Sequence, residues 1–557
     1  MKLMPIGKSD FKQLIEGNYY YVDKTLLIKE LLESAGDIIL FPRPRRFGKT
    51  LNLSMLKYFF EKHENQEDNS NLFVNTAIWK NGKYNNLQGQ YPVIFLTFKS
   101  IKDETWQSAY KSITEIITEE FKRHDYLLKG NIPSYDKIRY ESILSQTADE
   151  SLYGRSLLFL TKLLHKHYQQ NVIVLIDEYD APIHTAFNNK YYDEMVVFVR
   201  ILLENVLKDN SFLHRGILTG ILRVAKEGIF SGLNNIKVCS LLNFEFQDKF
   251  GFTESEIKKL LKDQKLSDKK EDVQAWYDGY TFGETKIYNP WSMIQFADSR
   301  GLLKPYWINT SDNKLIKRLI SMSDEDVKSD LELLMSGQSI NKEINEATIF
   351  PGIEKNSEAI WSLLLFSGYV TYNKQELIEG HTLCDLVIPN KELKFLYNEL
   401  VSNIFESTLT VDKIKALLKA LTQGDNESFQ ELLQEFIVNS ISMYDFSDKD
   451  PEKSYHLFVL GLLVNLNDTY EIKSNRESGY GRYDIILIPK NTNKLGILIE
   501  FKKVRPGETL EIACKKALEQ IQEKQYSHEL KDRGIKNIQL LGIAFLGKQV
   551  LVQSIDL

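Results

Sequence analysis

The chain has 557 residues, 43% hydrophobic and 26% charged, an ordinary globular composition with length enough for three or four domains. The start, MKLMPIGKSDFKQ, has no apolar signal segment, and no run approaches the roughly 18 apolar residues of a membrane span, so a cytoplasmic protein with no membrane partner is expected. Cys239, Cys384 and Cys514 are isolated, which argues against zinc and a disulfide scaffold, while a formal charge of −6 argues against nonspecific coating of nucleic acid.

The first chemical signal follows an apolar strand, Ile38 to Phe41. The basic loop PRPRRFGKT leads from it into a predicted amphipathic helix and ends in Gly48, Lys49 and Thr50. In a phosphate-binding loop, backbone amides cradle phosphates, lysine reaches the β/γ-phosphates and Ser or Thr binds magnesium. The pattern G-x-x-x-x-G-K-[ST] is broken at its first position, where Arg43 replaces a glycine that normally relieves a tight turn. Downstream, NVIVLIDEYDAPI reads as a buried parallel strand, Val172 to Ile176. Asp177 and Glu178 stand at its C-terminal end, where open α/β sheets place their ligands. There Asp177 suits magnesium and Glu178 suits activation of a water, with Asp180 a further acidic candidate. A third strand-like run, FLHRGILTG, brings Thr219 to its own C-terminal end.

The strings RPRRFGKT, LIDEYD, LTGILRVAKE and SGLNN, with the opening PIGKSDFKQLIEGNYYYVDKT, closely resemble the AAA-ATPase-like family. The resemblance implies a P-loop-type parallel-sheet domain over residues 1–245 that binds ATP and Mg2+. It places Gly48, Lys49 and Thr50 on phosphate and metal, Asp177 on metal, Glu178 as water activator and Thr219 as γ-phosphate sensor. Arg46, with Arg43 and Arg45, is a candidate contact for phosphate or nucleic acid. Arg223 and Arg215 are candidates for charge contacts with the phosphate, in cis or from a neighbouring subunit of a homo-oligomer.

Residues 246–400 read as a mainly helical lid. Thr253 with Glu256 forms a capping box, Asp278-Gly279 and Gly283 mark turns, and Asn289-Pro290 opens another helix. EAIWSLLLFSGYVTYN reads as a helix leading into a strand, in the manner of a winged-helix element. Trp276, Tyr277, Trp291 and Trp307 sit in apolar periodicity and read as core rather than as base-stacking platforms. His165, His167 and His184 have no metal spacing and read as structural.

Residues 401–557 open with two predicted helices, KALLKALTQ and ESFQELLQEFIVNSI. GYGRYDIILIPKNTNKLGILIEFKK then reads as a β-hairpin, with Asp484 heading one apolar run and Glu500 and Lys502 ending the other. Residues two apart on a strand share a face, so Glu500 and Lys502 look one way and Phe501 the other. Two carboxylates beside a lysine can hold a divalent metal and position a water against a phosphodiester.

The strings SNRESGYGRYDI, ILIEFKK and ALEQIQEKQY resemble the PD-(D/E)XK nuclease superfamily. They look like a bacterial branch that joins such a domain to an AAA-ATPase-like one. The resemblance implies a restriction-endonuclease-like α/β domain in which Asp484 and Glu500 bind Mg2+ or Mn2+. Lys502 would orient the water or stabilise charge, and Gln520 matches a polar helix position. Tyr483 replaces the proline before the motif Asp, and the usual upstream Glu is not obvious, with His456, Glu471 and Glu477 nearest. From Tyr455 onward 15 Lys/Arg face 12 Asp/Glu, a basic excess of 3. Within it Arg476 and Arg482 are favoured as phosphate contacts, and Lys503 and Arg505 read as solvated.

The function expected is that of an ATP-binding, metal-dependent nuclease acting on DNA, with nucleotide regulating the cut. The alternative is a signalling or scaffold ATPase whose nuclease-like domain only binds nucleic acid or a protein partner. A third class is a phosphoryl-transfer enzyme indifferent to nucleic acid.

Overall fold

Runs of four to six consecutive apolar residues suit strands buried on both faces, as in a parallel sheet covered by helices. The N-terminal half builds one. In a computed structural model of the chain, strands β1 (Ile38–Pro42), β2 (Val93–Thr97), β3 (Val172–Asp177), β4 (Leu213–Gly220) and β5 (Ile236–Val238) form a parallel sheet in the order β2-β3-β4-β1-β5. Every residue of β1 and β3 is buried. The structure describes residues 2–62, 68–222, 235–307, 325–335, 337–346, 357–397, 411–440, 459, 463, 466, 469–478, 481–505, 507–524 and 526–557.

The chain divides into two units, one made of residues 1–310 with 341–392 and the other of 311–340 with 393–557. In the first, β2 is a sheet edge, and its unpaired groups are met by the helix Trp106–Arg123. The Phe95 amide donates to Glu120 at 2.9 Å and the Val93 carbonyl accepts from Arg123 at 2.6 Å. Helix α1 (Lys49–Phe60) follows β1. It is not amphipathic as expected, since eight of its twelve residues are buried, polar Asn52 and Ser54 among them.

The middle of this unit adds small sheets to its helices. β6 (Phe252–Thr253), β7 (Tyr280–Phe282) and β8 (Thr285–Tyr288) form a small antiparallel sheet. β9 (Ile340–Glu343), β10 (Thr371–Ile378) and β11 (His381–Val387) form a second three-stranded sheet. The helix Ser357–Ser367 leads into β10, and the capping box of Thr253 and Glu256 starts the helix Glu254–Asp263, both as the sequence predicts. Tyr277 and Trp307 are buried, which agrees with their reading as core.

In the second unit, β12 (Tyr470–Ser478), β13 (Gly481–Pro489), β14 (Gly496–Lys503), β15 (Ile538–Leu546) and β16 (Gln549–Asp556) lie side by side in chain order. All pairings are antiparallel except β14 with β15. The helices Val411–Gln423 and Asn426–Ser440 close one face through Leu421, Leu433 and Phe436 against Leu487 and Phe501. Helix α2 (Leu510–Glu523) covers the other through Leu518 and Ile521 against Ile486 and Leu498. Among the described residues no helix is long and apolar enough to cross a membrane.

One buried carboxylate ties the middle of the first unit together. Glu392, 1% exposed, accepts from the Trp307 amide at 2.6 Å and from the Ser292 hydroxyl at 2.8 Å. Burial pushes its pKa up to about 7, against these hydrogen bonds, which favour the charged form. A carboxyl whose pKa is raised by folding stabilises the fold at low pH, and that contribution is lost as pH rises through the folded value. Wild type should therefore lose on the order of 3 kcal/mol from this group between pH 4 and pH 8. Glu392→Gln should flatten that part of the profile, as read from urea midpoints across the range.

Candidate functional sites at the two sheet ends

The first site lies at the C-terminal ends of β1, β3 and β4. Asp177 is fully buried, and a buried carboxylate must be hydrogen-bonded. Three hydroxyls converge on it: Thr50 from α1 at 2.8 Å, Thr97 from β2 at 3.1 Å and Thr219 from β4 at 2.8 Å. The next residue, Glu178, takes a left-handed backbone at φ 50°, and its amide lies 3.4 Å from the Thr219 hydroxyl. Outside glycine such a conformation is uncommon and is held only by surrounding structure.

Tyr179 and Asp180 clamp the end of β4. Asp180 accepts the Ile221 and Leu222 amides at 2.8 and 2.9 Å, and the Tyr179 hydroxyl donates to the Leu222 carbonyl at 2.6 Å. Gly220 is required there, because an added Cβ would come within 2.7 Å of both side chains. Burial raises the Asp180 pKa, but His184 and the two amides outweigh it, and the carboxyl is held below its ordinary value. His184, read from sequence as structural, is part of that clamp at 3.5 Å.

Lys49 is buried, with its ammonium on the carbonyls of Arg43 and Pro44 at 3.0 and 3.1 Å. Burial holds its pKa below the usual lysine value, opposed by Glu178, Asp180 and Asp177. Gly48 opens α1 at φ 85° without a side-chain cap, and no described atom lies within 4 Å of where its Cβ would be. The first amides of the helix have no intrahelical partner and no side-chain cap.

The loop between β1 and Gly48 is gripped from outside at every residue. The Arg43 guanidinium is buried 5.2 Å from the ring centroids of both Phe250 and Phe282, and donates to the Cys239 carbonyl at 2.6 Å. Arg43 is therefore no phosphate contact; its side chain replaces a flexible glycine with a buried anchor. Burial lowers its pKa to about 10. Pro44 packs on Gly368, the Arg45 carbonyl accepts from the Trp307 indole at 3.4 Å, and Phe47 packs against Tyr280 and Phe282. Arg46 is exposed at φ 70°, with its guanidinium 4.3 Å from the Trp291 ring centroid.

Arg215 is also misplaced by the sequence reading. It lies at the start of β4, four residues (about 13 Å) from Thr219. It donates to the carbonyls of Gly36 and Ser34 at 2.7 and 3.0 Å, capping the helix Leu26–Glu33. Arg223 lies outside the described residues.

The second site lies where β13 and β14 part. Their pairing runs only from Leu487↔Ile497 to Ile485↔Ile499. Beyond it the Asp484 carboxylate takes the Phe501 amide at 2.7 Å, in place of a ladder bond. Glu500 is 1% exposed. Its Oε1 accepts from Lys502 at 3.2 Å and from the Gln520 amide, while its Oε2 has no hydrogen-bond partner among the described residues. Burial and the Asp484 charge push the Glu500 pKa up to about 8, against the opposing pull of Lys502. An unsatisfied buried carboxylate oxygen beside a second carboxylate is a donor set that fits a hard divalent cation. Among the described residues no third acid or histidine joins the pair.

Glu471 pairs with Arg533 at 2.6 Å and stands across from Ile488, four residues along β13 from Asp484. It is not the upstream acid. His456 and the side chains of Glu477, Arg476 and Arg482 lie outside the described residues. Two neighbours escaped the sequence reading. Tyr526, 2% exposed, has its hydroxyl against Gln520, and burial with the nearby acids raises its pKa. Gly542 stands beside Glu500 on β15, and an added Cβ would come within 2.6 Å of the Cys514 carbonyl on α2.

Residues 5–230 match a family model described as a predicted AAA-ATPase, and residues 450–554 match one of the PD-(D/E)XK nuclease superfamily. The chain joins an AAA-ATPase-like domain to a PD-(D/E)XK nuclease-superfamily domain. It is 26% identical over 561 residues to an "Uncharacterized protein in vnfD 5'region" of Azotobacter chroococcum mcd 1, covering 98% of this chain and 96% of that protein. Among solved structures, the ORC2 protein of Aeropyrum pernix in ADPNP and ADP complexes is 12% identical. It covers 68% of this chain and 91% of its own, with a TM-score of 0.24, too loose a likeness to inform the site. AAA-ATPase-like and PD-(D/E)XK domains generally use nucleotide and divalent metal, respectively.

In the nuclease-superfamily domain, Gly542 lets α2 approach closely enough for Gln520 to reach Glu500. Gly542→Ala should push the helix outward and destabilise the domain by about 1–3 kcal/mol in urea unfolding. It should also loosen Gln520 from Glu500, seen as faster amide exchange in α2.

Proposed function

We propose that the protein is a metal-dependent nuclease of DNA, acting in the cytoplasm, whose cutting is controlled by ATP bound in the same chain. The observation that carries this reading is Glu500, a buried carboxylate with one oxygen unpartnered among the described residues, next to Asp484 and Lys502. The three buried cysteines are free, which suits a reducing compartment.

In the nuclease-superfamily domain Asp484 and Glu500 would hold the cation, which when bound supplies a Lewis acid to the phosphodiester and a water of lowered pKa. The Phe501 amide fixes Asp484, and Gln520 fixes Glu500. The Lys502 side chain is 27% exposed, so its ammonium can both neutralise Glu500 and stabilise charge growing on a phosphate that approaches from solvent.

In the ATPase-like domain, the uncapped amides after Gly48 and the Lys49 ammonium suit the phosphates of ATP. Thr50 and Asp177 suit its Mg2+, Glu178 a water, Thr219 the γ-phosphate end and Arg46 a phosphate oxygen. Lys49 must leave the Arg43 and Pro44 carbonyls to serve, so nucleotide binding exchanges two backbone contacts for a phosphate.

The test is cleavage of circular and linear DNA with Mg2+ or Mn2+, with and without ATP. Asp484→Ala should abolish cutting, and Lys502→Ala should lower it on the order of 10²–10³-fold. Lys49→Ala should remove the effect of ATP while leaving metal binding intact. DNA binding without cutting under every condition would move the protein to the scaffold ATPase reading. ATP hydrolysis indifferent to DNA, with no cutting, would make it a phosphoryl-transfer enzyme of another kind.

A further inference from the structure

A phosphate-binding loop works only if its amides already point at one place, since ordering them on binding would weaken the nucleotide. This loop lacks the usual first glycine, yet it carries a non-glycine residue, Arg46, in the left-handed region at φ 70°. Such a conformation persists where surrounding contacts over-determine it. The contacts nearest to it come from two tryptophans. Trp291 presents its ring to the Arg46 guanidinium at 4.3 Å, and the Trp307 indole donates to the Arg45 carbonyl at 3.4 Å.

Both indoles are themselves fixed. Trp291 donates to the Tyr306 carbonyl at 3.3 Å, while the Trp307 amide and the Ser292 hydroxyl share the two oxygens of Glu392. A rigid frame thus reaches from Glu392 to the backbone of Arg45 and the side chain of Arg46. Arg46 is exposed, and its charge is also felt by Glu178 across the site.

We propose that Trp291 and Trp307 are positioning residues of the phosphate loop, holding Arg45 and Arg46 so that the loop keeps its anion-binding shape without the first glycine. The inference rests on the nucleotide reading above. It makes Trp291 a sensor as well: the guanidinium on its ring face gains a phosphate partner when nucleotide binds, and the indole emission changes. The cation–π contact is direct, so the ring face and not merely the bulk of Trp291 is required.

The experiment uses the full chain with Mg-ATP, affinity being measured by calorimetry and tryptophan emission being followed in parallel. Trp291→Leu should weaken ATP about tenfold, and Trp291→Phe, which keeps an aromatic face, should stay within about threefold of wild type. ATP should change the emission of wild type, and that change should vanish in Trp291→Phe while Trp106→Phe keeps it. Wild-type affinity in a folded Trp291→Leu protein, or an emission change that survives in Trp291→Phe, would overturn the proposal and leave the nucleotide site standing. If Trp291→Leu does not fold, the emission comparison of wild type with Trp291→Phe decides alone. If wild type takes up no ATP, the nucleotide reading has failed and this inference falls with it.

Discussion

A carboxylate with no exposed surface has to be fully hydrogen-bonded, and in the first unit that requirement falls on Asp177. Its partners are hydroxyls from β2, β4 and the first turn of α1. Each bond is modest alone, but all three must form together or the carboxylate is left buried and short of donors. The register of β2 and β4 against β3, and the depth of α1, are therefore set at the C-terminal ends of the strands. Tyr179 and Asp180 extend the same constraint to the end of β4. The motif LIDEYD is thus structural in its first acid, which fixes the strand ends, while its second, Glu178, is held in an uncommon left-handed backbone.

The second unit treats its buried acid differently. Glu500 keeps one oxygen paired to Lys502 and Gln520 and leaves the other without a hydrogen-bond partner among the described residues, and Asp484 beside it adds like charge. A fold selected for stability alone would remove such a group, because a buried polar group short of partners costs more than an apolar replacement. Its supports are nevertheless elaborate. The strands split at Asp484, a helix is admitted at Gly542, and Gln520 and Tyr526 stand behind it. Among the described residues the hydrogen bonding is complete at Asp177 and incomplete at Glu500, so the same physical rule that makes one acid an organiser of its fold leaves the other with an oxygen to spare.

What the sequence made legible was what strand periodicity and short motifs carry. The buried runs at Ile38 and Val172, the hairpin at Asp484 and Glu500, and the opposed facing of Phe501 follow from alternation and run length. What escaped depends on contacts between distant segments. Thr97 ends a strand with no motif, and nothing local says that it meets Asp177. Gly542 looks like any glycine in an apolar strand until α2 is placed over it. The arginines misled for a related reason. A basic residue beside a phosphate motif invites a phosphate role, but Arg43 is drawn between two phenylalanines and Arg215 sits at the wrong end of its strand. Charge type is visible in sequence; the direction of a long side chain is not.

The loop around Arg43 shows how a motif can lose a residue and keep its shape. A glycine at its first position supplies conformational freedom, which a loop then has to restrict. Here the freedom is absent and the restriction comes from elsewhere: Arg43 buried among aromatic rings, Pro44 against Gly368, Phe47 against Tyr280. The positive φ angles have moved to Arg46 and Gly48, nearer the helix. Arginine tolerates that backbone only under constraint, so Phe250, Tyr280, Phe282, Trp291, Trp307 and Gly368 shape this loop as much as residues 43–50 do. Sequence motifs describe the inside of such a loop, and in this protein the forces that shape it act from the outside.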